Sequence, residues 1–189
     1  LYCRANIDFV DINSETFNID ICKLKEKLEL AEKSDNLPKI LVPVHMAGQS
    51  CDMEEIYTLS KIYGFKVIED ASHAFGASYK NTQVGSCKFS DITVFSFHPV
   101  KIITTGEGGV ATTISSEIDE KLRKLRSHGI EKNKNNLINQ SQGDWYYEQQ
   151  SLGFNYRMND IEATLGSSQL LRLDLIVSER NRQLSFYKE

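Results

Sequence analysis

Short runs of apolar and β-branched residues alternate along this chain with stretches whose apolar side chains recur every three or four positions. That alternation constrains the fold more than any other feature. Strands are predicted over residues 7–12 (Ile-Asp-Phe-Val-Asp-Ile), 39–44, 65–68, 92–97 and 110–114. Asp20 is predicted to cap a helix carrying Ile21, Leu24, Leu28 and Ala31 on its inner face. Asp52 and Glu55 look like a capping pair for a second helix, with Ile56, Leu59 and Tyr63 on one face and Gly64 ending it. Further helices are predicted over 116–126, with Ile118, Leu122 and Leu125 inward, over 160–171, and through a last stripe of Leu173, Ile176, Val177, Leu184 and Tyr187. The run 39–44 is almost wholly apolar, as in a parallel strand buried on both faces. Repeated strand and helix specify an α/β domain with a mainly parallel sheet. The polar, Asn- and Gln-rich segment 129–150 has no period and is predicted to be a long loop, of the kind that is functional or mobile.

The 189 residues suffice for one ordinary domain, and 40% hydrophobic with 25% charged residues is a globular composition. The 22 basic and 26 acidic residues give a formal charge of -4, which argues against nucleic acid or an anionic membrane as the main partner. No apolar run approaches the roughly 20 residues of a membrane span, and residues 1–10 lack the basic-then-apolar order of an export signal. Cys3, Cys22, Cys51 and Cys87 are scattered, without a Cys-x-x-Cys pair, so neither a zinc site nor a disulfide scaffold is expected, and a reducing cytoplasm is. A chain that begins at Leu1 and ends at Glu189 inside a helical pattern is expected to be a fragment of a longer one.

In an open α/β sheet ligands bind outside the carboxyl ends of the strands, which turns the strand ends into candidates. Asp70, Ser72 and His73 follow one strand; Ser96, His98 and Lys101 follow another, and Gly106-Glu107-Gly108-Gly109 comes soon after. Read singly, each has a plain structural role: a strand-end Asp caps a turn, a lone Lys is a surface charge, and a Ser hydroxyl bonds backbone. Together, a lysine and an acid on one rim fit a pyridoxal phosphate site, the lysine bonding the aldehyde and the acid pairing with the pyridinium nitrogen. Ser96, five residues before Lys101, is close enough in sequence to hold the cofactor phosphate by its hydroxyl, and its spacing equally suits a strand-end hydroxyl bonded to backbone. The glycine run lacks both the dinucleotide spacing and the Walker lysine, and reads first as a turn. His45, His73, His98 and His128 have no metal-ligand spacing, so no metal is expected. A Ser96-His73-Asp70 hydrolase is the rival chemistry, weakened because no serine lies in a Gly-x-Ser-x-Gly elbow.

Three motifs in one order carry a resemblance. Glu69-Asp70-Ala71-Ser72-His73-Ala74, then Ser96-Phe97-His98-Pro99-Val100-Lys101 leading into Thr105-Gly106-Glu107-Gly108-Gly109, then Gly153-Phe154-Asn155-Tyr156-Arg157-Met158 resemble the DegT/StrS family of nucleotide-sugar aminotransferases. Pro43-Val44-His45-Met46-Ala47-Gly48 extends the likeness, which runs essentially from Leu1 to Glu189. The wording around Lys101 most resembles the branch of that family serving pseudaminic acid synthesis.

The resemblance implies a three-layer α/β/α large domain of fold type I pyridoxal phosphate enzymes, incomplete here. Residues 1–171 would belong to it, and 172–189 would begin the helix leading to a small C-terminal domain. It implies Lys101 as the Schiff-base lysine and proton carrier, Asp70 on the pyridinium nitrogen, His73 at the phenolic oxygen and Ser96 at the phosphate. It implies Asn155 reaching the neighbouring subunit's phosphate across a homodimer with shared sites. The implied reaction takes an amino group from L-glutamate, releases 2-oxoglutarate, and delivers the group to the 4-keto carbon of a UDP-linked 4-keto-6-deoxy-N-acetylhexosamine. Other keto sugars, or a silent module keeping the scaffold, are the alternatives; a deoxysugar dehydratase is disfavoured because such enzymes replace the lysine that stands here as Lys101.

Overall fold

Asp20 begins the first helix as its spacing predicts, its carboxylate accepting the backbone N–H groups of Cys22 and Lys23 at 2.8 and 3.0 Å. The structure, a computed structural model, describes residues 2–187. In chain order the elements are α1 (Ile21–Lys33), β1 (Ile40–Leu41), α2 (Met53–Tyr63), β2 (Lys66–Asp70), β3 (Ser78–Tyr79), β4 (Thr82–Gln83), β5 (Ile92–Ser96), β6 (Gly109–Thr112), α3 (Ser116–Arg126), β7 (Ile130–Glu131), β8 (Glu148–Gln149), α4 (Asp160–Leu170) and α5 (Leu173–Phe186). The main sheet has the order β1-β2-β5-β6: β1, β2 and β5 are parallel and β6 returns antiparallel to β5. Two short antiparallel pairs, β3 with β4 and β7 with β8, stand outside it. The fold is α/β with a mainly parallel sheet, as the sequence pattern requires.

Period-two alternation divides the sheet into two faces. On one, Val67 joins Leu24, Leu28, Cys51, Met53, Ile56, Leu59 and Phe65 in the main core under α1 and α2. A second cluster gathers Ala71, Ala74, Phe95, Phe97 and Ile103, with Phe75, Met158, Leu173 and Ile176 packed against it. The other face carries Ile40, Val42, Val44 and Val94, all exposed in this chain. The run 39–44 is therefore covered on one face only, and Pro43, which has no N–H to give a ladder, limits regular pairing to Ile40–Leu41 with a single further bridge from Val44 to Asp70.

Several expectations are corrected. Residues 7–12 form no strand: Ile7, Phe9 and Ile12 are exposed, Asp8 and Asp11 turn their carboxylates onto the next backbone N–H, and only a bridge from Ile12 to Ile19 remains. A strand needs a neighbour, and none lies alongside. Asp52 stands at the start of α2 without capping it, because its carboxylate takes the Tyr79 hydroxyl instead. Gly64 does end that helix in the left-handed conformation. In α3 Ile118 and Leu122 are half-buried but Leu125 is exposed. In α5 Leu173 and Ile176 enter the second cluster while Leu184 and Tyr187 are exposed; Glu189 lies outside the described residues.

The segment 129–150 is ordered. β7 and β8 close its base, a 3-10 turn spans Lys134–Asn136, and two carboxylates hold it. Glu131 binds the Lys124 ammonium at 2.6 Å and the Asn133 N–H at 2.7 Å, which holds its carboxyl at about 2. Glu148 accepts the backbone N–H groups of Ile138 and Asn139 at 2.7 and 2.8 Å; with Gln150 these hold it at about 2 as well, against an ordinary 4.5.

Two outcomes follow. Ile56 is fully buried in the main core, so Ile56→Ala is expected to cost about 2–5 kcal/mol in urea unfolding. Because both glutamates titrate below their unfolded values, the order they give the 129–150 segment is complete above pH 4.5 and fades as pH falls towards 2. Exchange of the Ile138 and Asn139 amides measured across that window should accelerate on acidification and become indifferent to pH in Glu148→Gln, once corrected for intrinsic exchange.

Candidate active site

The carboxyl ends of β2 and β5 meet at one rim of the sheet. Asp70 ends β2 opposite Val94, and Ser96 ends β5 opposite Gly109. Register and alternation place Asp70, Val94 and Ser96 on the same face, the one that α1 and α2 leave open. The Asp70 carboxylate uses one oxygen, Oδ1, to accept the N–H and hydroxyl of Ser72 at 3.1 and 2.6 Å. Among the described residues nothing donates to Oδ2. An anionic acceptor, half-buried and turned to an open face, is what a cationic N–H at the ring edge of a flat heteroaromatic ligand requires. Ser96 Oγ accepts the His98 N–H at 3.3 Å, which leaves its hydroxyl proton to donate.

Lys101 lies on the loop that returns from β5 to β6. Phe97 anchors both ends of it: its N–H donates to the Gly108 carbonyl at 2.9 Å, and its carbonyl accepts the Thr105 N–H at 3.0 Å and the Thr104 hydroxyl at 2.8 Å. Within that loop the Lys101 N–H donates to the His98 carbonyl at 2.9 Å, and Ile103 is buried in the second cluster. Two helices brace the turn from outside. Gln169 of α4 accepts the Thr104 N–H at 3.1 Å, and Arg180 of α5 reaches the Lys101 carbonyl at 3.5 Å. The Lys101 side chain is half-buried, and among the described residues no hydrogen bond or ion pair engages its ammonium.

His73 is exposed on the turn after β2. The Met46–Gly48 turn passes over it so closely that a side chain on Gly48, whose φ is +89°, would stand 2.9 Å from the His73 carbonyl. Asn155 is placed differently. Its backbone bridges Ser127 beyond α3, and Phe154 N–H donates to the Leu125 carbonyl at 2.7 Å. Gly153 permits this approach, since any Cβ there would meet the Gly129 N at 2.3 Å. The third motif still touches the second through Met158, which packs on the second cluster and against Gly108. The structure thus brings Asp70, Ser72, Ser96 and Lys101 to one end of the sheet and holds Asn155 by contacts to α3, outside that group.

Sequence reasoning missed one feature at this rim. His45, at the end of the first parallel run, is fully buried against Glu69, with Nε2 to Oε2 at 2.8 Å. Burial raises the Glu69 carboxyl, but donors from His45, Ser90 and Thr93 outweigh it and leave the group below its usual range. A glutamate next to the aspartate in an otherwise apolar strand was the available sign. Elsewhere the chemistry is thin. Burial pushes the Cys51 thiol up to about 12, far from a reactive thiolate. No three His, Cys, Asp or Glu among the described residues gather as a metal site, and no helix there is long and apolar enough to cross a membrane.

The donor set fits pyridoxal phosphate: a primary amine for its aldehyde, a free carboxylate oxygen for its ring nitrogen, a hydroxyl for its phosphate, and an open apolar strand face beneath. Comparison with known proteins agrees. The chain is 41% identical over 187 residues, 99% of its length, to the UDP-4-amino-4,6-dideoxy-N-acetyl-β-L-altrosamine transaminase of Campylobacter jejuni, covering 46% of that protein. It is equally 41% identical to the spore coat polysaccharide biosynthesis protein SpsC of Bacillus subtilis, over all of this chain and 46% of that one. Among solved structures it superposes on Helicobacter pylori PseC, an aminotransferase involved in the biosynthesis of pseudaminic acid. The TM-score is 0.76 at 34% identity, over 89% of this chain and 40% of that one. The chain spans less than half the length of these curated relatives. Similar solved structures include PLP and PMP forms, and the family's aminotransferases depend on that cofactor. The DegT/DnrJ/EryC1/StrS aminotransferase family matches residues 1–189 throughout, and this chain belongs to that family.

Proposed function

We propose that the protein carrying this chain is a pyridoxal phosphate-dependent aminotransferase. It moves the amino group of L-glutamate to the 4-keto carbon of a UDP-linked 4-keto-6-deoxy-N-acetylhexosamine and releases 2-oxoglutarate. The observation that carries the chemistry is the convergence of Asp70, Ser96 and the Lys101 loop on one rim. The substrate reading rests on the altrosamine transaminase of Campylobacter jejuni, matched across 99% of this chain.

When bound, the cofactor supplies an electron sink for heterolysis of a C–H bond beside an amine. Lys101 would supply the amine that holds it and, once free, would carry the proton from one carbon to the other, a role only an uncharged amine can fill. Asp70, with Oδ2 free of donors among the described residues, would pair with the protonated ring nitrogen and so favour negative charge on the ring. Ser96 would donate its hydroxyl to a phosphate oxygen, and His73 would hold the ring's phenolic oxygen. Asn155, held away from this group by α3, serves the neighbouring subunit's phosphate in a cytoplasmic homodimer. Residues 1–171 form part of the cofactor domain and 172–189 lead out of it. The equal identity to SpsC supports a second substrate reading, another nucleotide-linked keto sugar, distinguished by offering the pyridoxamine form a panel of keto sugars.

Borohydride reduction of the full-length protein loaded with pyridoxal phosphate, followed by peptide mapping, is expected to leave a pyridoxyl group on Lys101; a label elsewhere, or none, overturns the assignment. Lys101→Ala should fold normally and lose turnover. In stopped-flow single turnovers Asp70→Asn is expected to slow both half-reactions by about a hundredfold or more, the scale of losing one preorganised electrostatic contact. Unchanged rates would remove Asp70 from the mechanism.

A further inference from the structure

Behind the rim lies a buried polar network with no part in the chemistry above. His45 is fully buried and Glu69 is 5% exposed. The Cys51 backbone N–H donates to His45 Nδ1 at 3.2 Å. A backbone amide only donates, so Nδ1 is unprotonated and the ring hydrogen sits on Nε2, from which it is given to Glu69 Oε2. The other carboxylate oxygen accepts the Thr93 hydroxyl at 2.8 Å and the Ser90 hydroxyl. No buried side-chain nitrogen or oxygen among the described residues lacks a partner. One neutral imidazole and one charged carboxylate therefore tie the end of the 39–44 run, the loop before α2, β2 and β5 to each other.

The same residue also grips Asp70 directly. The His45 backbone N–H donates to the Asp70 carbonyl at 3.0 Å, and the Asp70 N–H donates to the Pro43 carbonyl at 2.9 Å. Glu69 and Asp70 are consecutive and point to opposite faces. His45 thus holds Asp70 by its main chain and the preceding residue by its ring. Burying a carboxylate here costs desolvation that a hydrocarbon pair of the same volume avoids, so stability alone gives little reason for it. Directional bonds fix orientation, which hydrocarbon packing does not.

We propose, resting on the aminotransferase reading, that His45 is a positioning residue for Asp70. Its paired main-chain and imidazole bonds set the direction in which the Asp70 carboxylate leaves β2 towards the ring nitrogen. Glu69, Thr93 and Ser90 are the anchor against which it works.

The test needs no cofactor. Amide hydrogen exchange is measured on the full-length apoprotein in the wild type, His45→Ala, His45→Gln and Thr93→Val. Gln supplies both an amide oxygen for the Cys51 N–H and an N–H for Glu69. His45→Ala is expected to accelerate exchange at Asp70 about tenfold, the scale of losing a hydrogen bond to a charged group, while Val110 on β6, paired with Phe95, stays at the wild-type rate. His45→Gln should restore Asp70 protection. Thr93→Val, which deletes a different donor to Glu69, should give a smaller acceleration confined to the same residue, and serves if His45→Ala does not fold. Unchanged Asp70 exchange in the variants that fold, or equal acceleration at Val110, overturns the positioning role and leaves the pair as core structure. Lysine labelling in the wild type is a separate readout. If Lys101 takes no pyridoxyl group the aminotransferase reading fails, whatever the exchange pattern shows.

Discussion

Glu69 and Asp70 are adjacent in the chain, yet the pleat of β2 sends one into the core and the other to the open face of the sheet. The inner carboxylate is held by three donors from two separate segments, so β2 cannot shift by one residue without exposing the buried charge and burying the Asp70 carboxylate. That register, fixed between β1 and β5 by parallel pairing, decides which groups reach the rim. Ser96 shares the face of Asp70 because β5 pairs with β2 in step. Lys101 stands close by because Phe97 closes its loop back onto the strand end.

The packing around the rim serves the same geometry. The main core under α1 and α2 anchors the strands from one side, and the second cluster carries Ile103 of the lysine loop together with Met158 from the stretch before α4 and Leu173 of α5. Through Gln169 and Arg180 the last two helices hold the loop's backbone and leave the lysine amine free of partners among the described residues. The 129–150 segment is stapled by Glu131 and Glu148, and Gly153 lets the next stretch run against Gly129, which fixes where Asn155 stands.

Much of this was legible beforehand. The Asp20 cap, the helix over 116–126, the glycine stop at Gly64 and the strands read over 65–68 and 92–97, found as Lys66–Asp70 and Ile92–Ser96, follow from local chemistry: a side-chain acceptor for free N–H groups, 3.6-residue spacing, tolerance of positive φ, and branched runs. The misreadings have a common cause. Residues 7–12 have strand composition but no neighbouring strand, and Asp52 has a capping side chain that Tyr79 claims from a distant position. The run 39–44 is apolar throughout, but Pro43 interrupts its ladder. In each case a local preference met a partner, or lacked one, that sequence distance hides.

The sequence by itself determined the alternation of strand and helix and therefore an α/β sheet, because period and capping are local properties. It also determined the family, because three motifs stand in order with Asp70, Lys101 and Asn155 inside them. Only the tertiary structure decided which face each strand residue takes, that Asp70 and Ser96 share one while Glu69 turns inward, and that His45 locks the arrangement from behind. Those outcomes rest on strand register and on hydrogen bonds between residues more than twenty positions apart, and register is set by pairing across the sheet, which no local stretch of sequence specifies.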